Sequence, residues 1–404
     1  MTRTLISGGQ VFDGTGSAPY RADVLIEDGR IAAVGSDLDG DEVIDATGVT
    51  VTPGLFDCHT HFMMSGVDWI RILNAPFSLP FYEAIGNMRA TIECGITSVR
   101  DAGGTDLGTA EAARRGLILG PRMQISITPL SQTGGHGDMR GPGENFDQCL
   151  CCPSLGRICD GVTEVRRAVR DEVRKGATHI KLMVSGGIAS PTDRINSTQY
   201  SVEEIKAAVE EAEAANIYCM GHAYTARAIN RALECGVRSI EHGNLLDEET
   251  AKLFVQKDAY IVPTLVILFT MAKEGARHGL LPHVIAKVPE VFEAGTRALE
   301  ICSRGGVKIV FGTDLLGTMH DRQSEEFLIR SEIQKPIDVI RSATSIAAEL
   351  FQMGGEIGVV AEGARADLLV IDGDPTENLQ LLQGQGKFIK AIMKDGKFFK
   401  NEFR

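Results

Sequence analysis

Short runs of alternating apolar and polar residues occupy both ends of the chain, and this period of two predicts β-strands. One pair of runs flanks Asp28-Gly29, and another pair flanks Asp395-Gly396. Asp-Gly between alternating runs is the typical signal of a two-residue hairpin turn. Because isolated hairpins are barely stable, we expect the two terminal pieces to pair into one small β domain.

Between these ends, short β-branched runs alternate with stretches whose apolar residues recur at helical spacing. The clearest helices are predicted over 202–216 and 336–351. Strands are predicted over 97–101, 179–184, 238–242 and 308–312.

Alternation of this kind predicts an α/β fold with a parallel sheet. Roughly eight strand-like segments lie between Phe56 and Asp314, which suits a (β/α)8 TIM-like barrel. The expected organisation is a barrel over 54–356, and a small β-sandwich domain formed by both termini from 1–53 and 357–404.

Composition narrows the classes of function. A formal net charge of −13, without a basic stripe, excludes a nucleic-acid surface, which needs clustered Lys and Arg. The most apolar stretch, 260–269, is too short to span a bilayer and contains Pro263. No signal peptide is visible at the start, so a cytoplasmic protein without membrane contact is expected.

Nine cysteines without a secretion signal predict reduced thiols. Cys149, Cys151 and Cys152 cluster, with Cys159 following, but the cluster lacks paired Cys-x-x-Cys spacing. A structural metal is therefore disfavoured there, and the role of the cluster stays open.

Six residues of metal-ligand type follow one another along the predicted strand ends. They are His59, His61, Lys181, His222, His242 and Asp314. The carboxyl ends of parallel strands meet at one rim of a barrel, where catalytic residues collect. A single histidine on a strand is more often a core residue, but six correctly typed residues at successive strand ends favour a two-metal site.

The local spacing supports shared ligation. His59 and His61 stand two apart on an extended segment, so both imidazoles point to the same side. Lys181 lies inside an apolar strand, where burial favours the neutral amine. A neutral amine reacts with CO2 to form a carbamate, which is a bridging carboxylate; the alternative is a buried lysine paired with an acid.

Several motifs together resemble the amidohydrolase superfamily, in its binuclear metal-dependent branch with prolidase-like Xaa-dipeptidases, imidazolonepropionase relatives and ochratoxin-type amidases. The matching stretches are 53–61, 180–181, 221–224, 240–243, 312–314 and 363–368. The loops 134–138 and 185–193 are most similar to the prolidase-like subgroup. The likeness covers essentially the whole chain.

The resemblance implies two divalent metal ions, with zinc expected and manganese or cobalt equally suited to such ligands. By this analogy His59, His61 and Asp314 hold one ion, and His222 with His242 hold the other. Carboxylated Lys181 and a hydroxide bridge the two ions.

The same resemblance implies the catalytic roles. Asp314 acts as general acid and base while the bridging hydroxide attacks an amide carbon, and Tyr224 stabilises the oxyanion. On the substrate side, His136 lies in a glycine-rich loop and is expected to contact a substrate carboxylate or oxyanion. Ser185 and Gly186 are expected to offer donors to an anion. His320 and Arg322 are further candidates for a substrate carboxylate, although a surface ion pair is an equal alternative.

The favoured function is hydrolysis of a small-molecule amide or dipeptide, with release of a C-terminal amino acid from Xaa-Pro, Xaa-hydrophobic or N-acyl amino acid substrates, ochratoxin A included. Specificity is expected to reside in 128–163, in the segment after Val184 and in 264–282. A cyclic-amide hydrolase or deaminase on the same scaffold is the alternative, and Lys181 counts against it. A non-catalytic assembly protein is disfavoured because every expected ligand is present. A homo-oligomer is expected.

Overall fold

The structure of the protein, a computed structural model, describes residues 3–68, 71–72, 74–145, 156–280 and 282–403. The chain divides into two compact units. One unit comprises Met1–Asp57, Arg89–Ser98 and Asp321–Arg404, and the other comprises Cys58–Met88 and Val99–His320. The domain boundaries that the sequence suggests, 1–53 with 357–404 around 54–356, stay a prediction.

Both ends of the chain build one eight-stranded sheet in the first unit. Its strands are Thr4–Val11, Tyr20–Glu27, Arg30–Gly35, Glu42–Asp45, Thr50–Pro53, Leu368–Ile371, Ile389–Lys394 and Lys397–Asn401. Val51 joins the two ends, because it pairs in parallel with Val11 and antiparallel with Val370. The expected pairing of the terminal pieces is confirmed.

Both predicted hairpins are present. Asp28 and Gly29 have φ values of 52° and 78°, and Asp395 and Gly396 have values of 49° and 74°. Two consecutive positive φ values define the type I′ turn that Asp-Gly favours. The strands on either side of each turn pair antiparallel.

The alternation of residues in these strands fills one apolar core. Val24 and Ile26 are buried, whereas Leu25 between them is only partly buried. Strands near both edges of the sheet contribute to the same core, with Ile31 from one and Met393 from the other. The period of two in the sequence therefore marks the side of each strand that faces this core.

Parallel strands and helices alternate in an α/β barrel. Its strands are Leu55–Thr60, Ile96–Asp101, Arg122–Ile125, Leu130–Ser131, Arg157–Ile158, Ile180–Met183, Cys219–Thr225, Ser239–Leu245, Tyr260–Val262 and Lys308–Ile309. The described pairs in its seven-stranded sheet are parallel, and the register runs from Met220 to Ser239, Tyr260 and Lys308. The carboxyl ends of these strands therefore lie at one edge, as predicted.

Twelve α-helices and two 3₁₀ helices occur among the described residues. The α-helices are Leu79–Glu93, Leu107–Arg114, Gly161–Arg174, Val202–Ala214, Ala226–Glu234, Glu248–Gln256, Leu265–Glu274, Pro282–Ile285, Val288–Gly305, Glu325–Ser331, Pro336–Ser342 and Ser345–Leu350, and the 3₁₀ helices are Gly317–Arg322 and Leu379–Leu382. Ser201 and Glu204 form a capping box at the start of the fourth helix. None of the described helices is both long and apolar enough to cross a membrane.

One helix prediction is wrong. The segment 336–351 forms two helices, Pro336–Ser342 and Ser345–Leu350, instead of one. Ser342 and Thr344 turn their hydroxyl groups onto the carbonyls of Val339 and Ile340 at 2.5 and 2.9 Å. Side-chain bonds of this kind compete with continued helix, and apolar periodicity does not record them.

Six cysteines in the described part of the chain are free and buried. Among them, Cys159 lies 3.2 Å from the hydroxyl of Tyr200. The cluster Cys149, Cys151 and Cys152 lies outside the described residues.

Candidate metal centre

Strand ends bring the six predicted ligands around one cavity. The residues concerned are His59, His61, Lys181, His222, His242 and Asp314. The six side chains come together because the barrel strands near them are parallel and end at the same edge. All six lie in the unit that comprises Cys58–Met88 and Val99–His320.

Three of these side chains are spaced like the ligands of one ion. The Nε2 atoms of His59 and His61 each lie 3.3 Å from Oδ1 of Asp314. The donor atoms of the three residues all lie within 4.8 Å of one another. Two ligands of a tetrahedral ion with bonds of about 2.1 Å are roughly 3.4 Å apart, so this group has the spacing that a zinc-like ion requires.

For two of the histidines, hydrogen bonds determine which ring nitrogen is free to bind a metal ion. Nδ1 of His61 donates to the carbonyl of Gly103 at 2.9 Å, and Nε2 of His222 donates to the carbonyl of Gly186 at 3.2 Å. A carbonyl oxygen only accepts, so the lone pairs remain on Nε2 of His61 and Nδ1 of His222. Burial holds the pKa of His222 well below its ordinary value and keeps the ring neutral, as ligation requires.

His242 completes the second pair of imidazoles. Its Nδ1 lies 2.7 Å from the hydroxyl of Thr264, and its ring centroid lies 4.7 Å from that of His222. Burial lowers the pKa of His242 well below the ordinary value. Two neutral imidazoles at this separation form a suitable donor pair for a second ion.

Lys181 lines the same cavity and is almost completely buried. Burial is the largest cause that lowers its pKa to about 8, against the opposing charges of Glu241 and Asp314. The amine forms no hydrogen bond or ion pair with any residue in the described ranges. A buried amine without a hydrogen-bond partner is costly in its charged form, and burial therefore favours the neutral amine.

Glu241 and Arg100 form a buried ion pair that contacts His59. Oε2 of Glu241 accepts from Nδ1 of His59 at 2.6 Å, and Oε1 accepts from Nη2 of Arg100 at 2.8 Å. The hydroxyl of Ser239 donates to the same Oε1 at 2.9 Å. Burial alone raises the pKa of Glu241, but Arg100 and His59 outweigh it and hold the pKa well below the usual range.

Asp101 supports the other ligand of the His-x-His pair. Its carboxylate accepts from the backbone N–H groups of Phe62 and Gly103 at 2.9 and 3.1 Å. The carbonyl of Gly103 in turn accepts from His61, so Asp101 fixes the loop that orients this ring. Carboxylates that hold ligating histidines in this way are a common feature of metal sites.

Three residues at or next to the cavity have strained backbone conformations. His242, Thr264 and Asp314 have φ values of 71°, 46° and 58°. Positive φ is uncommon for residues other than glycine and costs free energy that the surrounding structure must offset. These conformations direct the side chains of His242 and Asp314, both of which line the cavity.

His136 and Tyr224 flank the second imidazole pair. The ring of His136 stacks on His222 with centroids 4.1 Å apart, and Tyr224 stacks on His242 at 5.4 Å. Burial lowers the pKa of His136 and raises that of Tyr224, which keeps the phenol protonated as a hydrogen-bond donor. Both side chains line the cavity, and their contact with a substrate stays a prediction.

The remaining wall of the cavity is apolar. The side chains that form it are Met64, Met139, Met183, Ile188, Ala189, Ile267, Leu268, Met271 and Leu316. The three segments expected to carry specificity, 128–163, the stretch after Val184 and 264–282, all contribute to this wall. Lys181 is the only lysine or arginine among the lining residues of the described cavity.

Comparison with known proteins decides the family. The model of the amidohydrolase family matches residues 50–398, which is most of the chain. The chain belongs to the amidohydrolase family. The resemblance inferred from the sequence motifs is thereby confirmed, and the protein is a hydrolase that acts on C–N bonds.

Similar proteins include an ochratoxinase, a prolidase and a Xaa-Pro dipeptidase. Ochratoxinase of Aspergillus niger is 32% identical and covers 98% of this chain and 86% of its own. A prolidase solved with N-methylphosphonate-L-proline is 46% identical, covers 99% of this chain and 100% of its own, and has a TM-score of 0.96. A Xaa-Pro dipeptidase solved with bound methionine is 28% identical, covers 99% and 100%, and has a TM-score of 0.88.

The other predicted substrate residues of this amidohydrolase lie away from the cavity wall. Ser185 accepts from the backbone N–H of Tyr224 at 3.0 Å and donates to the carbonyl of Gly186 at 2.8 Å, so its hydroxyl group is used in bonds to the backbone. His320 is buried, donates to Gly317 and stacks on Phe62.

Arg322 does not join the amidohydrolase cavity either. It lies in the other compact unit, where its guanidinium contacts Glu325 at 2.8 Å. A contact of this kind fits the alternative of a surface ion pair.

Burial, the largest cause, lowers the pKa of His320 to about 4, which leaves that ring neutral.

Glu241 and Arg100 are the main residues that sequence reasoning missed. Their signal was present, because an ionisable residue inside an otherwise apolar strand requires a partner or a function. Position alone did not reveal that the two residues meet each other and His59. That relation depends on the register of separate barrel strands.

Proposed function

We propose that the protein is a two-metal amide hydrolase that releases a C-terminal amino acid from dipeptides of Xaa-Pro or Xaa-hydrophobic type, or from N-acyl amino acids such as ochratoxin A. The observation that carries this proposal is the convergence of six ligand-type side chains on one cavity with an apolar wall. The similar proteins named above, a prolidase, a Xaa-Pro dipeptidase and an ochratoxinase, support it.

The donor set fits a pair of divalent ions. His59, His61 and Asp314 would hold one ion and His222 with His242 the other, and Lys181, as a carbamate, would supply a further carboxylate ligand. When bound, such ions, with zinc as the expected metal, lower the pKa of a water molecule to near neutrality and polarise a carbonyl group. The spacing of the first three donors and the buried position of Lys181 in the same cavity support this assignment.

Asp314 is the proposed proton carrier. Its Oδ1 lies between His59 and His61, which leaves Oδ2 for the proton of the attacking water. Burial alone raises the pKa of this carboxyl, but His59 and His61 hold the pKa well below the ordinary value. The carboxylate therefore starts unprotonated, takes the proton at Oδ2 and returns it to the leaving nitrogen.

Tyr224 is the proposed donor to the oxyanion. Its raised pKa keeps the hydroxyl proton in place, and its stacking on His242 fixes the ring beside the second imidazole pair. A donor that is already positioned where negative charge develops lowers the barrier without reorganisation. His136, whose ring stacks on His222, is the proposed contact for the polar group of the substrate.

The apolar wall defines the expected side chain of the substrate. Methionine, isoleucine and leucine side chains lining the cavity favour burial of an aliphatic or aromatic group over a charged one. The cytoplasmic location and the homo-oligomeric state that the sequence suggests stay predictions.

The test is hydrolysis, by zinc-reconstituted protein, of a library of Xaa-Pro, Xaa-Phe, Xaa-Arg and N-acyl amino acid substrates. Lys181→Ala is the blank, and Lys206→Ala, which removes an exposed lysine, is its matched control. We expect release of the C-terminal amino acid by the wild type and the control but not by the blank. If metal is bound and no substrate is cleaved, the proposal fails and cyclic amides become the next candidates.

A further inference from the structure

The ring of His136, which is not one of the six candidate metal ligands, is held by close packing. One face stacks on His222 at 4.1 Å with an interplanar angle of 20°. Gly187 lies next to the same ring, because a Cβ atom at that position would be 2.0 Å from Cε1 of the imidazole. Glycine at position 187 is therefore what allows the ring to lie flat in the wall.

A chain of hydrogen bonds leads from this ring to a buried carboxylate. Nδ1 of His136 lies 2.8 Å from Oγ of Ser190, and the hydroxyl of Ser190 donates to Oδ1 of Asp193. The side chain of Asp193 is only 2% exposed. Its Oδ2 accepts from the side-chain amide of Gln199 at 2.8 Å.

Gln199 connects the same carboxylate to the backbone of His136. Its Oε1 accepts from the backbone N–H of His136 at 2.9 Å, while its amide group donates to Asp193. Asp193 thus supports both the ring and the backbone of the histidine. Two separate connections to one residue define orientation better than a single bond does.

The direction of the bonds determines the tautomer. A carboxylate oxygen only accepts, so the single proton of the Ser190 hydroxyl is directed to Asp193. Ser190 can then only accept from His136, and the ring proton must be on Nδ1. Nε2 is consequently the nitrogen that His136 offers to a ligand in the cavity.

We propose that Ser190 and Asp193 are positioning residues, which fix the tautomer and the orientation of His136 so that Nε2 faces the substrate. The kinetic test of this proposal rests on the proposed amide hydrolase function, whereas the measurement of the tautomer does not. Neither residue is assigned a contact with the metal ligands or with the substrate.

Nitrogen NMR of the metal-loaded protein with ¹⁵N-labelled histidine measures the tautomer directly. The His136 signals are assigned by their loss in His136→Gln. We expect a protonated Nδ1 and an unprotonated Nε2 in the wild type, and loss of this preference in Ser190→Ala and Asp193→Asn. Thr192→Ala removes an exposed hydroxyl from the same loop and should leave the tautomer unchanged.

Kinetics then show whether the hydrogen bonds of Ser190 and Asp193 matter for the reaction. Ser190→Ala and Asp193→Asn should each lower kcat/KM about tenfold or more, as found for residues that orient a functional histidine, while the bound metal per chain stays the same. In a His136→Ala background the same substitutions should change kcat/KM less than about twofold, because their effect passes through His136.

Three results would overturn the inference. The first is a wild-type ring that carries its proton on Nε2, and the second is a tautomer that Asp193→Asn leaves unchanged. The third is a loss of kcat/KM that is equally large with and without His136, since the loop would then act by another route. An absence of amidase activity with the expected tautomer would contradict the proposed function and leave this assignment standing.

Discussion

At the scale of single residues, the sequence predicted the candidate metal ligands but not the residues that hydrogen-bond to them. His59, His61 and Asp314 were predictable because ligand-type residues followed strand-like runs at the correct places. Glu241 and Arg100 were not, since their importance arises from a contact between two strands far apart in sequence. The hydroxyl and carboxylate that hold His136 lie in a loop, where no periodic pattern records a contact.

Glu241 provides the first residue-scale prediction. Glu241→Gln keeps the shape of the side chain but removes the charge that His59 and Arg100 share. We expect metal affinity to fall about 10- to 100-fold, as is usual when the partner of a ligating histidine is lost. Metal titration followed by calorimetry measures the change.

Glu172→Gln is the matched control for that substitution. Glu172 is also fully buried and pairs with Arg157 at 2.9 Å and Lys175 at 3.1 Å, but it does not line the cavity. Both variants should lose stability, because each leaves a cation without its carboxylate. Equal metal affinity in Glu241→Gln and the wild type would contradict the role given to Glu241.

Lys181 provides the second residue-scale prediction. If its amine carries a carbamate, metal-stripped protein should regain activity with zinc faster in buffer containing bicarbonate than in CO2-free buffer. The buried neutral amine is the form that reacts with CO2. Reactivation that proceeds at the same rate in both buffers would exclude the carbamate.

At the scale of elements, turn chemistry was more informative than helical periodicity. The pairs Asp28-Gly29 and Asp395-Gly396 predicted both hairpins, because only a few residues adopt the positive φ that a type I′ turn needs. The segment 336–351 kept its apolar period across the break between its two helices. The period reports which residues are buried and does not report where local hydrogen bonds interrupt the helix.

The two hairpin turns also meet, which gives a prediction at this scale. A Cβ atom on Gly396 would lie 2.7 Å from Cα of Gly29, and Gly396 has a φ of 74°. Gly396→Ala should lower the free energy of unfolding by about 3 kcal/mol, through backbone strain and overpacking together. Denaturant unfolding of the metal-free protein measures the loss.

Gly48→Ala separates these two contributions. Gly48 has a φ of 85°, and a Cβ atom there would meet no neighbour within 4 Å. Its substitution should cost only the backbone term, about 1 kcal/mol. If both variants lose the same stability, the close approach of the two turns contributes nothing.

At the scale of the whole molecule, the order of elements identified the α/β barrel and the terminal sheet. Alternating strands and helices between two β-rich ends leave few possible topologies. The division into units did not follow from the sequence, since Arg89–Ser98 and Asp321–Arg404 cluster with the terminal sheet through contacts that no linker composition signals. All six candidate ligands nevertheless belong to one unit.

The central claim is that these six side chains hold two metal ions. The most direct test is the number of metal ions per chain after zinc reconstitution and dialysis, measured for the wild type and for Lys181→Ala by elemental analysis. We predict two ions per chain in the wild type and fewer in Lys181→Ala. One ion or none in the wild type, or a number that Lys181→Ala leaves unchanged, would contradict the claim.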